Sequence, residues 1–173
     1  YIWFLIIMGP PIFISTIRFN VGTDYFAYVR WFNNINNYSN AFSIYGNEPL
    51  YYFLNKLAFY LFKDSWGIFF LSSFLIHFFI FYGLDYFKNK ISISFGLFIY
   101  YLFNFSFGLN GIRQMIAISI VFYAIRYIYS KNFIKYIVFI IIATLFHNTA
   151  FICIVFYSLV NLSIKNLNVF KSY

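Results

Sequence analysis

The sequence predicts an all-α, polytopic helical membrane protein. Of its 173 residues, 63% are hydrophobic, 28% are aromatic and only 9% are charged, and the mean hydropathy is +0.77. A soluble domain is about 45–50% apolar and about one quarter charged, so much of this apolar surface needs lipid around it. Several runs also approach the roughly 20 apolar residues with which a helix crosses a bilayer. The composition therefore excludes a water-soluble globule.

The apolar runs predict about five or six transmembrane or re-entrant helices. The first run includes Pro10 and Pro11, which remove two backbone donors and predict a kink. We expect the third, fourth and fifth runs to span the membrane, because each is long and almost uncharged. The runs cover residues 1–17, 49–62, 66–84, 91–107 and 112–129, followed by a pair at 134–146 and 149–162.

The second run and the final pair need separate interpretation. Run 49–62 begins with Pro49, which suits the first turn of a helix. At 1.5 Å per residue it is too short to cross a core of about 30 Å, so it predicts a re-entrant or interfacial half-helix. In the final pair, His147, Asn148 and Thr149 interrupt an otherwise apolar stretch. That pair is compatible with one helix or two.

We expect a single integral-membrane domain over residues 1–173, with an outer polar loop at 18–48. The chain begins at Tyr1 without an initiator methionine, inside an apolar run, which indicates a piece of a longer protein. The single cysteine, Cys153, excludes a disulfide framework or a cysteine metal site within these residues. The net charge of +8 is spread between apolar runs, so we expect no nucleic-acid partner and attribute the charge to membrane topology.

The basic residues also predict an orientation, because short cytoplasmic loops carry an excess of lysine and arginine. If run 66–84 passes inward, the inner side has seven basic residues and one acidic residue, a net charge of +6. The outer side then has five basic and three acidic residues, a net charge of +2. This orientation places the polar segment 18–48 on the outer face. Its mixture of charged and aromatic residues favours a ligand site there.

Arg113 is the clearest candidate for a binding residue. It follows Gly108 and Gly111, which permit a break in the backbone, and it begins a helix in which Ala117 and Ala124 allow close packing. A guanidinium beside the unpaired N–H groups of a helix start suits a phosphate. The alternative is that Arg113 extends to lipid headgroups from the helix end.

The two histidines have different expected roles. His147 lies in the polar interruption, near the outer face with Arg113, and can donate to a phosphate or accept a proton. Its alternative role is a hydrogen bond at a helix end. His77 stands alone among apolar residues, so we expect it to pack in the core with a hydrogen bond to a helix carbonyl.

Arg18, Asp24, Arg30 and Glu48 complete the outer set of charged residues. Asp24 suits a general base or an ion pair with Arg18 or Arg30, and the spacing leaves both roles open. On a helix Asp24 and Tyr28 share a face, an arrangement suited to a sugar. Glu48 either binds a ligand or only stabilises the N-terminus of the half-helix that follows it.

The outer residues form four short motifs in order along the chain. They are residues 21–25 with Tyr28, 48–51, 111–117 and 146–150. With this order, spacing and hydropathy profile the chain resembles the EpsG family, Wzy-like bacterial membrane proteins of exopolysaccharide and capsule synthesis. The resemblance covers most of the chain.

The resemblance implies a membrane glycosyltransferase that polymerises undecaprenyl-pyrophosphate-linked oligosaccharide repeat units at the outer face of the bacterial plasma membrane. It implies no metal or other cofactor, because arginine takes the place of a divalent cation. The implied partners are the lipid-linked oligosaccharide, membrane lipid and other polysaccharide-assembly proteins. The implied residues are Arg113, Gln114, Arg18, Arg30, Glu48 and Tyr28 for the pyrophosphate and the rest of the substrate, and Asp24 and His147 for proton transfer.

Other classes of function stay open. A membrane O-acyltransferase that modifies the same glycan could use an intramembrane histidine, and its loss would leave chain length unchanged. A lipid-linked sugar flippase or another transporter needs a central polar cavity, yet the predicted spans have almost no charge near their midpoints. A structural subunit of a synthesis complex would tolerate alanine at both Arg113 and His147.

Overall fold

The structure, a computed structural model, describes residues 2–35 and 48–161 as helices joined by short turns. The predicted outer loop 18–48 is thus described over 18–35, where Tyr25–Asn33 form a helix, and at Glu48, whereas 36–47 lie outside the described residues. The helices are α1 Ile2–Ile17, α2 Tyr25–Asn33, α3 Pro49–Phe62, α4 Trp66–Tyr86, α5 Ile93–Phe103, α6 Phe105–Asn110, α7 Ile112–Tyr129 and α8 Phe133–Phe146, followed by the 3₁₀ helix η1 Asn148–Cys153.

Helix α4 lies at the centre of the packing. It contacts α1, α3, α5 and α7, while α7 packs in turn against α8, and α8 contacts α3 and η1. The face of α7 that continues from Arg113 is buried, with Ala117 2% exposed and Ile120 and Ala124 fully enclosed. Small residues on that face let neighbouring helices approach closely, which confirms the predicted packing face.

Two helices are long and apolar enough to cross a membrane, namely α4 with 21 residues and α7 with 18. They confirm the predicted runs 66–84 and 112–129. The other apolar helices, which include α1, α5, α8 and the stretch Asn148–Asn161, are shorter. The all-helical prediction is confirmed over the described residues.

The prediction of one spanning helix over 91–107 is wrong, because the helix is interrupted at Asn104. Helix α5 ends at Phe103 and α6 begins at Phe105. The N–H of Asn104 donates to the Tyr100 carbonyl at 2.8 Å, and its backbone has φ −115° and ψ −19°. Asparagine side chains compete for backbone hydrogen bonds and therefore favour helix ends. With 11 residues, α5 is about 16 Å long and too short to span alone.

Three smaller expectations have mixed outcomes. Pro10 and Pro11 both lie within α1, which is one uninterrupted helix, and the kink predicted there stays a prediction. Pro49 occupies the first turn of α3 as predicted, and the re-entrant placement of that helix stays a prediction. The final pair of runs forms two helices, because His147 has an extended backbone with φ −156° and ψ 118°.

Gly83 allows α4 and α7 to come together. A Cβ atom added at Gly83 would lie 2.6 Å from two carbons of the Phe122 ring on α7. Gly9 in α1 provides the contrast, because a Cβ atom there would meet nothing within 4 Å. The two glycines share a helical setting and differ in what surrounds them.

Gly83→Ala is therefore expected to destabilise the protein, although alanine is the better helix former. Overpacking costs about 1–3 kcal/mol, which outweighs the gain in helix propensity of about 1 kcal/mol. Gly9→Ala, the matched control, is expected to be neutral or stabilising. Thermal unfolding of the purified variants in detergent measures both. Equal melting temperatures for the two variants would contradict the proposed close contact between α4 and α7.

Candidate functional site

Glu48 joins two distant parts of the chain through its carboxylate. Oε2 accepts a hydrogen bond from Arg113 Nη1 at 2.5 Å, and Oε1 lies 2.6 Å from His147 Nδ1. Arg113 is 65 residues from Glu48 in sequence, and His147 is 99 residues away. The Glu48 side chain is only 6% exposed, whereas those of Arg113 and His147 are 26% and 23% exposed. A buried anion is thus shared by two partly accessible donors.

Local structure explains why these side chains converge. Glu48 immediately precedes α3, Arg113 lies in the first turn of α7, and His147 terminates α8. Because α8 packs against both α3 and α7, the three helix ends meet at one place. Glu48 makes no side-chain hydrogen bond to the N-terminus of α3. Glu48 is therefore more than an N-terminal cap, because it binds Arg113 and His147, and its predicted role in binding a ligand stays a prediction.

Aromatic rings surround the Arg113 guanidinium. Its carbon lies 4.8 Å from the centre of the Trp31 ring and 6.0 Å from that of Tyr51. Guanidinium groups bind favourably over aromatic faces within about 6 Å. Arg113 is therefore positioned by an ion pair and by rings. Its predicted role at a phosphate and the alternative role at lipid headgroups both stay predictions.

Tyr28 connects α2 to the start of α7. Its hydroxyl oxygen accepts a hydrogen bond from the Ile112 N–H at 3.1 Å, and its ring packs edge-on against Tyr51. Burial raises the pKa of Tyr28, and the nearby Arg113 charge opposes that shift only partly. Tyr28 therefore stays a neutral phenol at ordinary pH. It satisfies one of the N–H groups exposed at the start of α7.

Arg18 lies apart from this cluster and contacts the C-terminal end of α6, just before α7 begins. One guanidinium nitrogen, Nη1, donates to the Leu109 carbonyl, and the guanidinium carbon lies 4.5 Å from the centre of the Phe69 ring. The residue is only 9% exposed, and burial lowers its pKa. Arg18 borders a cavity of about 20 Å³, too small for a diphosphate. Its predicted role at a pyrophosphate stays a prediction.

Asp24 and Arg30 occupy exposed positions on α2 or beside it. The backbone N–H of Asp24 donates to the side-chain oxygen of Asn110 at 3.1 Å, and Thr23 Oγ1 lies 3.0 Å from the same atom. Asp24 immediately precedes α2, and its contact with Asn110 holds it beside the residues that lead into α7. It has no described contact with Arg113 or His147. Arg30 lies in the last turn of α2. Their predicted functional roles remain predictions.

Gln114 lines an open cleft beside the cluster. The cleft lies between α7 and the segment after His147, with a volume of about 260 Å³. Gln114, His147 and Thr149 supply its polar part, and apolar side chains such as Val121 and Phe156 supply the remainder. A ligand beside His147 would therefore meet both polar and apolar surface.

The arrangement can transfer a proton and bind an anion. Because a carboxylate only accepts hydrogen bonds, His147 Nδ1 carries the hydrogen toward Glu48. In the neutral imidazole the other nitrogen, Nε2, is then the acceptor. Arg113 has five N–H donors, more than Glu48 and Tyr28 use. Among the described residues no group of three His, Cys, Asp or Glu side chains could hold a metal ion.

Sequence reasoning missed the aromatic neighbours and the polar partners of the turns. Trp31 and Tyr51 contact Arg113, and Asn110 holds the 23–24 turn. Trp31 and Asn110 lay within or beside segments already singled out for their polarity, which was the available signal. Tyr51 lies in the motif 48–51, but nothing there marked it as a neighbour of Arg113 among 18 tyrosines.

The described residues form a helical protein with two helices long and apolar enough to cross a membrane and with a cluster of Glu48, Arg113 and His147 where helix ends meet. The model of the EpsG family matches residues 1–172, and the chain belongs to the EpsG family. Family membership together with the two long apolar helices indicates an exopolysaccharide-related membrane protein. No curated protein and no solved structure matches the chain.

Proposed function

We propose that this protein polymerises lipid-linked oligosaccharide repeat units during bacterial exopolysaccharide or capsule synthesis. The donor is a glycan on undecaprenyl pyrophosphate, and the acceptor is a hydroxyl group of a second lipid-linked unit. The observation that carries the proposal is the buried carboxylate of Glu48 bound to both Arg113 and His147. Membership of the EpsG family supports the choice of substrate class.

His147 is the proposed base for the acceptor hydroxyl. Glu48 fixes the ring through Nδ1 and stabilises the imidazolium that forms, as a carboxylate does for a catalytic histidine elsewhere. The proton passes from the hydroxyl to Nε2 as the acceptor oxygen attacks the anomeric carbon. The bond from that carbon to the pyrophosphate oxygen breaks in the same step. Asp24, the other predicted base, lacks a comparable histidine or arginine contact in the described residues.

Arg113 is the proposed partner of the leaving pyrophosphate. Negative charge develops on the leaving oxygen as the glycosidic bond breaks, and a fixed guanidinium stabilises it. Trp31 and Glu48 hold that group in place before substrate binds. The side chain keeps partial exposure, so a phosphate can reach it. We place this site at the outer face of the plasma membrane, from the predicted orientation and charge distribution.

The function is tested by complementation of a bacterial strain that makes lipid-linked repeat units but no polymer. With the full-length gene we expect a ladder of long glycans on a gel, and with an empty vector single repeat units only. An inactive gene with equal membrane abundance, judged by immunoblot, would contradict the proposal. If deletion of the gene left the glycan chain length unchanged but removed an acyl group from the glycan, the protein would instead be an O-acyltransferase.

A further inference from the structure

Arg18 is a buried cation for which the chain provides no carboxylate. The protein has four acidic residues, and all four lie in the described part of the chain. Glu48 binds Arg113 and His147, and Asp85 pairs with Lys88. Asp64 contacts Ser65 and Trp66, and Asp24 contacts Thr23. None of the ion pairs among the described residues includes Arg18.

The guanidinium presents an unused pair of donors. Nη1 donates to the Leu109 carbonyl, whereas Nε and Nη2 are buried and have no hydrogen-bond partner among the described residues. These two nitrogens form one edge of the planar group, so their N–H bonds point in parallel toward a single acceptor. An unpaired buried charge is strongly unfavourable. The stacking on Phe69 offsets only part of that cost.

Further polar atoms without partners border the same cavity. Ser72 is 1% exposed and His77 is 2% exposed, and Ser72 Oγ and His77 Nε2 are both buried without a hydrogen-bond partner. Arg18, Ser72 and His77 all line the cavity of about 20 Å³. That volume accommodates one guest of about the size of a water molecule. A phosphate ester or a sugar is too large for it.

The identity of the guest follows from charge rather than from His77. The carbonyl of Ser73 lies 2.7 Å from His77 Nδ1, so Nδ1 carries a hydrogen, as predicted for a histidine bound to a helix carbonyl. In the neutral ring Nε2 is then an acceptor, so it supplies no hydrogen bond to an anion, and the donors available in the cavity are those of Arg18 and the Ser72 hydroxyl. Only an anion also neutralises the Arg18 guanidinium.

We propose that the cavity lined by Arg18, Ser72 and His77 binds a small monovalent anion of the size of chloride. Arg18 holds the anion through the Nε and Nη2 edge, and the Ser72 hydroxyl donates to it. The site goes beyond the proposed polymerase activity and does not depend on it. Since Arg18 also holds the Leu109 carbonyl, the anion stabilises the turn that leads into α7 and Arg113.

The test compares thermal unfolding of the purified full-length protein in sodium chloride and in sodium gluconate of equal ionic strength. Gluconate is too large for the cavity. We expect the melting temperature to rise with the logarithm of the chloride concentration above the dissociation constant, by about 5–10 °C at a hundredfold excess over that constant. Arg18→Gln is expected to abolish the rise. Arg126→Gln, which removes an arginine at the far end of α7, is expected to retain it.

A second pair of variants keeps the test informative if Arg18→Gln does not fold. Ser72→Ala removes one donor and is expected to weaken chloride binding about tenfold. Arg18→Lys keeps the charge but loses the paired donors, so it is expected to weaken chloride binding as well. Equal melting temperatures in chloride and gluconate would overturn the proposal and leave water as the guest. A chloride response that persists unchanged in the Arg18 or Ser72 variants would overturn it too.

Discussion

Glu48→Gln is expected to reduce polymerisation by about 10²- to 10⁴-fold, the usual contribution of a positioned acid or base. The amide has nearly the shape of the carboxylate but no charge. Its NH₂ group would face a donor on either Arg113 or His147, so the amide can satisfy only one of them. The imidazolium formed during proton transfer would also lose its counter-charge. The ladder of glycans on a gel, normalised to membrane abundance, measures the loss.

Asp85→Asn is the matched control for Glu48→Gln. Asp85 is also a carboxylate in an ion pair, with Lys88 at 3.2 Å. It lies in the last turn of α4, outside the cluster, and its side chain is substantially exposed. We expect normal polymer from this variant, because exposed pairs contribute about 0–1 kcal/mol to stability. Full polymer length from Glu48→Gln at normal abundance would show that the shared carboxylate has no part in the reaction.

Arg113→Lys is expected to lower polymer formation by about 10²- to 10³-fold, the usual cost of one donor that stabilises a developing anion. Lysine keeps the positive charge. It cannot bind Glu48 and a phosphate with a rigid planar group, and it stacks less well on Trp31. Single repeat units should therefore accumulate on the lipid carrier. Their ratio to polymer, read from the same gels, reports the effect.

Arg126→Lys provides the comparison for this substitution. Arg126 lies on the same helix, in the last turn of α7, where it contacts the rings of Tyr123 and Tyr127. The same chemical change there leaves the cluster intact, so we expect a normal ladder. A full ladder from Arg113→Lys would contradict the proposal that a planar guanidinium binds the pyrophosphate. It would indicate that a positive charge at this position is enough for polymerisation.

The long apolar runs were the part of the fold that sequence predicted best. Runs 66–84 and 112–129 correspond closely to α4 and α7, because a long helix that is apolar all round has few competing structures. The run 91–107 failed at Asn104, where one polar residue ended the helix. Hydropathy averages over a window and is insensitive to such a single break.

The site was predicted in its members more than in its geometry. Arg113 and His147 were expected near each other, and they are both bound to Glu48. The sequence predicted no contact between Glu48 and His147, and only the packing of α3 and α8 brought the Glu48 carboxylate to the imidazole. Arg18 was expected at the outer set of charged residues, yet its guanidinium is buried against Phe69.

The sequence alone determined that the chain is helical, apolar and poor in charged residues. Composition and the length of an apolar run are local properties, so they can be read without knowing which segments pack together. It also indicated which charged residues require an explanation, since an ionisable group among apolar helices is costly. The tertiary structure decided which of these charges meet. Glu48, Arg113 and His147 are far apart in sequence, and the contact of 2.5 Å between carboxylate and guanidinium depends on how three helix ends pack. Such contacts depend on long-range packing, and local sequence patterns do not indicate how far apart in space two residues from distant segments will lie.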